Sequence, residues 1–398
     1  MTRTIDPQRQ PLLGLRVVEF CTIAAGPFCA MQLGDLGAEV IKIEPPGGDP
    51  MRAWPPLTES PDGSRYSENF ASLNRGKRSL VLDLKEQGQQ RLARRLCLSA
   101  DVVLENNRPG VMERLGLGPA GLLAEKPSLV YASISAFGQE GPRAQQGGFD
   151  VVLQAFSGIM SVTGSAGGEP VKCGVPLSDM ATGLYAAFAI VAKLLAVRAG
   201  GPGGHIDASM LGASLGIAAL QTSEYFGSGR DPLPLGSAHP RNAPYQAFRA
   251  ADDWLVLAAG NDRLWQAVTG VIDRPDLLAD PRFASIGERA ANQAALKIEM
   301  ERALAAAPAA TWIERFNAVG VPCAPINSYS AVLADPQVAA RNWVLPMTLP
   351  NGADIRTVGP TLGLDGAPPP LSGPPPALDG DREAVAALLD REEAEPVP

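Results

Sequence analysis

The sequence predicts an α/β protein, with a large domain on a parallel sheet and a smaller α+β domain. Three observations carry this expectation. From residue 12 to about 200, short Val/Ile/Leu-rich runs alternate with helix-period segments. Past His205 the chain turns to small, nearly uncharged residues, and then to two strands joined by a polar turn. At 398 residues it is long enough for two domains.

GLRVVEF (14–20) reads as a buried strand. AAGPFCAMQLGDLG follows as a helix, with Pro27 at its first position and Gly37 as its stop. AEVIKIE (38–44) is the next strand, so the pair is parallel. The theme continues through RSLVLDLK, the helix EQGQQRLARRLCL, DVVLENN, a helix opened by Pro109, and PSLVYASIS. YQAFRAADDWLVLAAG reads as an antiparallel pair turning at residues 251–253, with helices DRLWQAVTGVI and IEMERALAAA beyond it. The expected domains are a Rossmann-like α/β part over 1–225, an α+β domain over 226–325, and a return segment over 326–398. In that segment, NWVLPMTL and IRTVGP rejoin the large domain.

Lys and Arg total 34 against 42 Asp and Glu, a net charge of −8, and no basic run offsets it. That argues against a nucleic-acid or anionic-membrane partner. MTRTIDPQRQPL shows no apolar signal core, and five scattered cysteines without a C-x-x-C suit a reduced, cytoplasmic protein. The longest strongly apolar uncharged run, MATGLYAAFAIVA, stops before Lys193, short of a spanning helix.

Several motifs reduce to bland readings. GLGPAG (116–121) fits a dinucleotide fingerprint but follows a helix-like segment, and reads as a turn. GASLG (212–216) fits a nucleophile elbow, yet only His205 and His239 are available as bases, so helix packing is the better reading. Two histidines and no cysteine cluster leave no expected metal site. NRGKRS (74–79) and ENNRPG (105–110) place cations at strand and helix boundaries, where phosphate-bearing ligands bind, and AAGP (24–27) lets a ligand approach backbone amides. In GVPLSDMATG (174–183), Asp179 follows Ser178, a good N-cap. Spacing alone favours a helix-start role and leaves a nucleophile open.

The ordered blocks GLRVVEF, AGPFCAMQLGDLGAEVIKIEPPGGDPMR, NRGKRSLVLDLK, ENNRPGVMERLGLG, VYASISAFGQEGP, GVPLSDMATG, HPRNAPYQAF and VPCAPINS span about Leu13 to Asn342. Through them the chain resembles the class III coenzyme A transferases, or CaiB/BaiF family, which also includes the α-methylacyl-CoA racemases. The resemblance implies an acyl-CoA:carboxylate CoA-transferase with Asp179 as nucleophile, forming an aspartyl–acyl anhydride and then an aspartyl-CoA thioester. Coenzyme A is then part of the substrate, with no tightly bound cofactor and no metal. It further implies that Ala24, Ala25, Gly26, Lys77, Arg108 and Arg114 belong to the CoA cleft, and that the loop at Gly260 serves the oxyanion. An arginine that some relatives carry after the KIE block is replaced here by Pro45. The resemblance also implies an interlocked, ring-shaped homodimer. Alternatives are a racemase or epimerase, or a non-catalytic CoA-binding paralogue. A racemase's histidine aligns with Phe149, which carries no proton.

Overall fold

Six strands form the expected parallel sheet. The computed structural model describes residues 8–394. Along the chain run β1 (Arg16–Phe20), β2 (Glu39–Glu44), β3 (Leu57–Glu59), β4 (Arg65–Ser67), β5 (Arg78–Val81), β6 (Val102–Glu105), β7 (Val130–Ser135) and β8 (Gly204–Ser209). The sheet order is β5-β2-β1-β6-β7-β8, with every neighbour parallel, while β3 and β4 make a separate hairpin. Helices cover both faces, so β6 and β7 are buried along their whole length, as their near-continuous apolar runs require. One face packs Leu80, Leu96, Met112 and Tyr131, and the other packs Ala30, Leu33, Ala186 and Ile190. None of the five cysteines is in a disulfide.

The order carries a reversal. From β1 the chain winds outward through β2 and β5, then returns to β6 and continues the other way. Adjacent strands with diverging connections leave a crevice beyond their carboxyl ends.

The first crossover helix, α1 (Ala25–Asp35), starts two residues before Pro27 and stops at Gly37, whose φ of 107° is the left-handed conformation glycine tolerates. Against it lies a 22-residue helix, Leu177–Arg198. Gly183 permits that approach, because a Cβ there would stand 2.8 Å from the Ala25 carbonyl oxygen. The helix runs on through Lys193, and with an 18-residue window of mean hydropathy 1.9 it is, by length and composition only, long and apolar enough to cross a membrane. The uncharged run had suggested a shorter element. One side (Ala181, Ala186, Ile190) enters the core, while Leu184, Phe188 and Leu195 are exposed.

The second unit holds an antiparallel sheet, β11-β10-β9, of β9 (Tyr245–Arg249), β10 (Trp254–Ala258) and β11 (Cys323–Pro325). Phe248, Leu257, Trp265, Trp312 and Phe316 form its core. Its limits correct the expected 226–325. The unit comprises Met160–Lys172 and Glu224–Asp335, and the first unit takes the chain to Ile159, Cys173–Ser223 and the chain from Pro336 onward. The Met160–Lys172 excursion is tied down by the Gly236 amide, which donates to the Gly164 carbonyl at 2.7 Å. In the first unit, β12 (Val344–Thr348) and β13 (Asp354–Val358) pair with each other instead of extending the six-stranded sheet.

Beneath β1 and β2 lies a dry ionic cluster. Lys42 Nζ reaches Asp49 Oδ2 at 2.9 Å and Glu19 Oε1 at 3.4 Å, and donates to the Cys21 carbonyl at 2.6 Å. The Lys42, Glu19 and Asp49 side chains are fully buried, so deleting Lys42 leaves Asp49 charged and without its cation, while Glu19 keeps Lys77. Lys42→Ala is expected to cost about 3–5 kcal/mol in denaturant unfolding. A loss below about 1 kcal/mol, the scale of a wetted surface pair, would show that the cluster is not dry.

Candidate active site

A cavity of about 260 Å³ opens at the strand reversal. Its walls are the turn Thr22–Ala25 after β1, residues Asn106–Pro109 after β6, Ile134, Ser135 and Ala136 at the carboxyl end of β7, the stretch Gln146–Phe149, Asp179 and Met210. Most of these positions follow strand carboxyl ends, where the topology leaves room.

The β1–α1 turn is held from two sides. Asn106 accepts from the Thr22 amide at 3.0 Å and donates from Nδ2 to the Thr22 carbonyl at 2.8 Å. The Asp49 carboxylate accepts from the Ile23 amide at 3.3 Å. Ile23 has a φ of 68°, a costly conformation for a β-branched residue, and these bonds hold it there. Next along the chain, α1 opens into the cavity without a side-chain cap at Ala24, which leaves amides available to an anion.

Of the expected CoA residues, Ala24, Ala25 and Arg108 line the cavity. Arg108 lies over Gly147, where a Cβ would come within 3.1 Å of its guanidinium nitrogen. Gly26 plays a different part. A Cβ there would fall 2.3 Å from Cys21 Sγ, so its smallness serves packing under the turn. Lys77 also departs from expectation, because its Nζ is buried and donates to Glu19 Oε1, the Pro27 carbonyl and Asn74 Oδ1, each at 2.9 Å. Three acceptors use all three ammonium donors, leaving none for a phosphate. Arg114 is exposed and outside the cavity lining, beside Gly110.

Among the described residues, Asp179 is the only carboxylate in the cavity wall. It lies in the first turn of Leu177–Arg198, whose N-cap is Pro176, and the first helical bond runs from the Met180 amide to the Pro176 carbonyl. Ser178 is therefore inside the helix, and its hydroxyl accepts from Ser214 Oγ at 2.9 Å instead of capping. A carboxylate at the third helical position ordinarily reaches back to the N-cap amide, but proline has none. Among the described residues nothing donates a hydrogen bond to the Asp179 carboxylate. Burial raises its pKa to about 7, with the negative charge of Asp150 adding to the rise.

The remaining motifs settle into structural roles. The first half of GLGPAG turns between two short helices and its PAG opens the second, and the GASLG serine is buried in Met210–Ile217. His205 bonds Ser133 Oγ at 2.9 Å, and burial lowers its pKa. His239 Nδ1 accepts from the Arg241 and Asn242 amides at 3.1 and 3.0 Å. Gly260 lies in the second unit, after β10. Phe149 is 65% exposed and lines the same cavity as Asp179.

The family-wide profile described as CoA-transferase family III matches residues 12–382. The chain belongs to CoA-transferase family III. It is an enzyme of that class. It is 38% identical over 399 residues to the succinate–glutarate CoA-transferase of Agrobacterium fabrum, covering 98% of each chain. It is 40% identical over 348 residues to the acetyl-CoA:oxalate CoA-transferase of Acetobacter aceti, covering 87% of this chain and 88% of that one. The crystal structure of a CaiB/BaiF family protein from Brucella suis superposes with a TM-score of 0.85 at 37% identity, over 96% of this chain and all of the other.

Several features of this family III site were not singled out in the sequence. Asn106 and Asp49 brace the turn, Gln146 and Ser135 line the cavity, and Asp150 stands beside Asp179. Only Asp150 left a local trace, its i,i+4 spacing to Gln154.

A raised carboxyl pKa makes a stability prediction. The folded state holds the Asp179 proton up to about 7, whereas the unfolded chain releases it near the ordinary carboxylate value of about 4. The penalty for ionised Asp179 therefore builds between those values and is complete above the folded one. Asp179→Asn should melt above wild type at pH 8, and the advantage should shrink as the pH falls toward 4. Equal melting temperatures at pH 8 would show that the carboxylate is well solvated.

Proposed function

We propose that this chain transfers coenzyme A between two carboxylic acids by covalent catalysis at Asp179. The observation that carries this reading is a half-buried carboxylate with no hydrogen-bond donor, in a cavity at the strand reversal. The ionised carboxylate attacks the acyl-CoA thioester carbonyl, the C–S bond breaks, and an aspartyl–acyl anhydride and CoA thiolate result. The thiolate attacks the aspartyl carbonyl, releasing the donor acid as carboxylate and leaving aspartyl-CoA. An acceptor carboxylate then displaces the thiolate, and the thiolate takes the acceptor acyl group to restore Asp179. Each step exchanges activated acyl groups of similar energy, so the sequence needs no ATP.

CoA enters this reading through the cavity wall. The uncapped start of α1 and the Arg108 guanidinium suit an anionic ligand, and Ala24 and Ala25 keep the approach to the backbone open. Relatives are named for succinate, glutarate and oxalate, which supports dicarboxylic acids as the acid partners. Phe149 stands in the wall of the Asp179 cavity, in the stretch where a racemase would need a proton carrier, which favours transfer over racemisation. The exposed Leu184, Phe188 and Leu195 on the Asp179 helix support a homodimer, interlocked as the family resemblance implies. Sedimentation should show twice the chain mass of 41.6 kDa. A monomer at micromolar concentration would remove this part of the reading.

The mechanism is tested by trapping. With hydroxylamine and a productive acyl-CoA, Asp179 should become a hydroxamate detectable by peptide mass spectrometry, with loss of activity. Because the nucleophile must be ionised, kcat/KM should fall as the pH drops through about 7. Asp179→Asn should lose transfer yet still bind CoA. Undiminished turnover by Asp179→Ala would overturn the assignment.

A further inference from the structure

The helix that carries Asp179 has no side-chain cap of its own, and a neighbouring helix supplies one. Asp150 opens the helix Asp150–Phe156, and its Oδ1 accepts from the Ser178 amide at 2.8 Å. Its Oδ2 accepts from Gln154 Nε2 at 2.7 Å, one turn along the same helix. Fully buried Gln154 then accepts from the Cys173 amide at 2.8 Å through Oε1. Two side chains of one short helix thus hold the stretch Cys173–Ser178 at both ends. Ser178 is fixed a third way, since its carbonyl accepts from Thr182 Oγ at 2.6 Å and its hydroxyl from Ser214.

We propose that Asp150 is a positioning residue for Asp179, capping the nucleophile's helix from outside and setting a second negative charge beside the attacking carboxylate. This rests on the reading of Asp179 as nucleophile. The borrowed cap satisfies the Ser178 amide, which removes a donor that would otherwise be free to stabilise the Asp179 anion. The charge acts the same way. Among the described residues Asp150 is the one charged group that shifts Asp179, and it raises it, whereas Arg108 in the cavity wall does not. A carboxylate in that field is relieved when it becomes a neutral anhydride or thioester, so the arrangement favours the covalent forms over the free anion.

A merely structural cap would need only an acceptor oxygen. Asp150→Asn keeps that oxygen and removes the charge, but its amide then meets Gln154 Nε2, donor against donor. Asp150→Asn combined with Gln154→Glu repairs this contact. The new carboxylate at position 154 still accepts from the Cys173 amide, and the charge now sits one helical turn away. The test uses the full-length enzyme, with the acid limb of kcat/KM for one acyl-CoA and the titration of [13C]-aspartate-labelled protein, Asp179 being assigned with Asp179→Asn.

The 13C titration and the acid limb should move down by about half a pH unit in Asp150→Asn, because burial, the larger cause, remains, and by less in the double variant, where the charge is moved and not removed. The KM for acyl-CoA should hold while kcat falls. If the double variant melts like wild type and neither titration nor acid limb moves, the positioning role is wrong. If the carboxyl titration moves and the acid limb does not, the positioning role stands and the catalytic reading of Asp179 falls.

Discussion

The site depends on one topological constraint, the reversal of strand order between β1 and β6. Parallel neighbours whose connections leave in opposite directions cannot close over their shared carboxyl end. The space that results is bridged by a reciprocal amide pair, Asn106 from the β6 side and Thr22 from the β1 side. From β2's side Asp49 takes the next amide, on Ile23, and is itself neutralised by buried Lys42. The strained turn is thus stabilised by bonds from two flanking segments, and ends where α1 offers uncapped amides. The two buried lysines belong to this support, because Lys77 bonds the carbonyl of Pro27 in α1 while Lys42 bonds that of Cys21 at the end of β1.

That support explains which parts of the site were legible in sequence. The sheet was, because a two-sided buried strand must be a continuous apolar run, as VVLE and VYASIS are. The glycine at 37 and the alanines of AAGP were legible too, since backbone conformation and lack of bulk are properties of the residue itself. A lysine is different. NRGKRS reads as a phosphate grip, but whether Lys77 points at solvent or at Glu19 depends on a partner 58 residues away, and nothing local marks that pairing. Gly26 misled in the same manner, its neighbour being Cys21 rather than a ligand. The excursion of Met160–Lys172 into the second unit was invisible because the contacts that hold it include a backbone bond between glycines 72 residues apart.

The Asp179 stretch shows how two local rules compete. Ser178 followed by an acid looks like a helix start, but Pro176 takes the N-cap position two residues earlier. Pro176 accepts the first helical bond and offers no amide in return, so the reciprocal box that would occupy Asp179 cannot form. The serine is spent instead on packing, through Ser214 from the segment that mimicked a nucleophile elbow.

On the mechanism proposed above, the Asp179 carboxylate must be both held and poorly stabilised. The usual ways of holding an acid at a helix start, a capping bond or an ion pair, lower its energy and blunt it as a nucleophile. Here the two demands are divided among residues. Position comes from bonds made to its neighbours, at Ser178 and Cys173, by Asp150 and Gln154. The carboxylate itself receives burial and a like charge, which raise its energy in the free form. Stability lost at Asp179 is offset elsewhere in the first unit, by the dry ionic cluster and the apolar layers on both sheet faces. A cap on Asp179 itself would hold the helix equally well and leave a less reactive acid in the cavity.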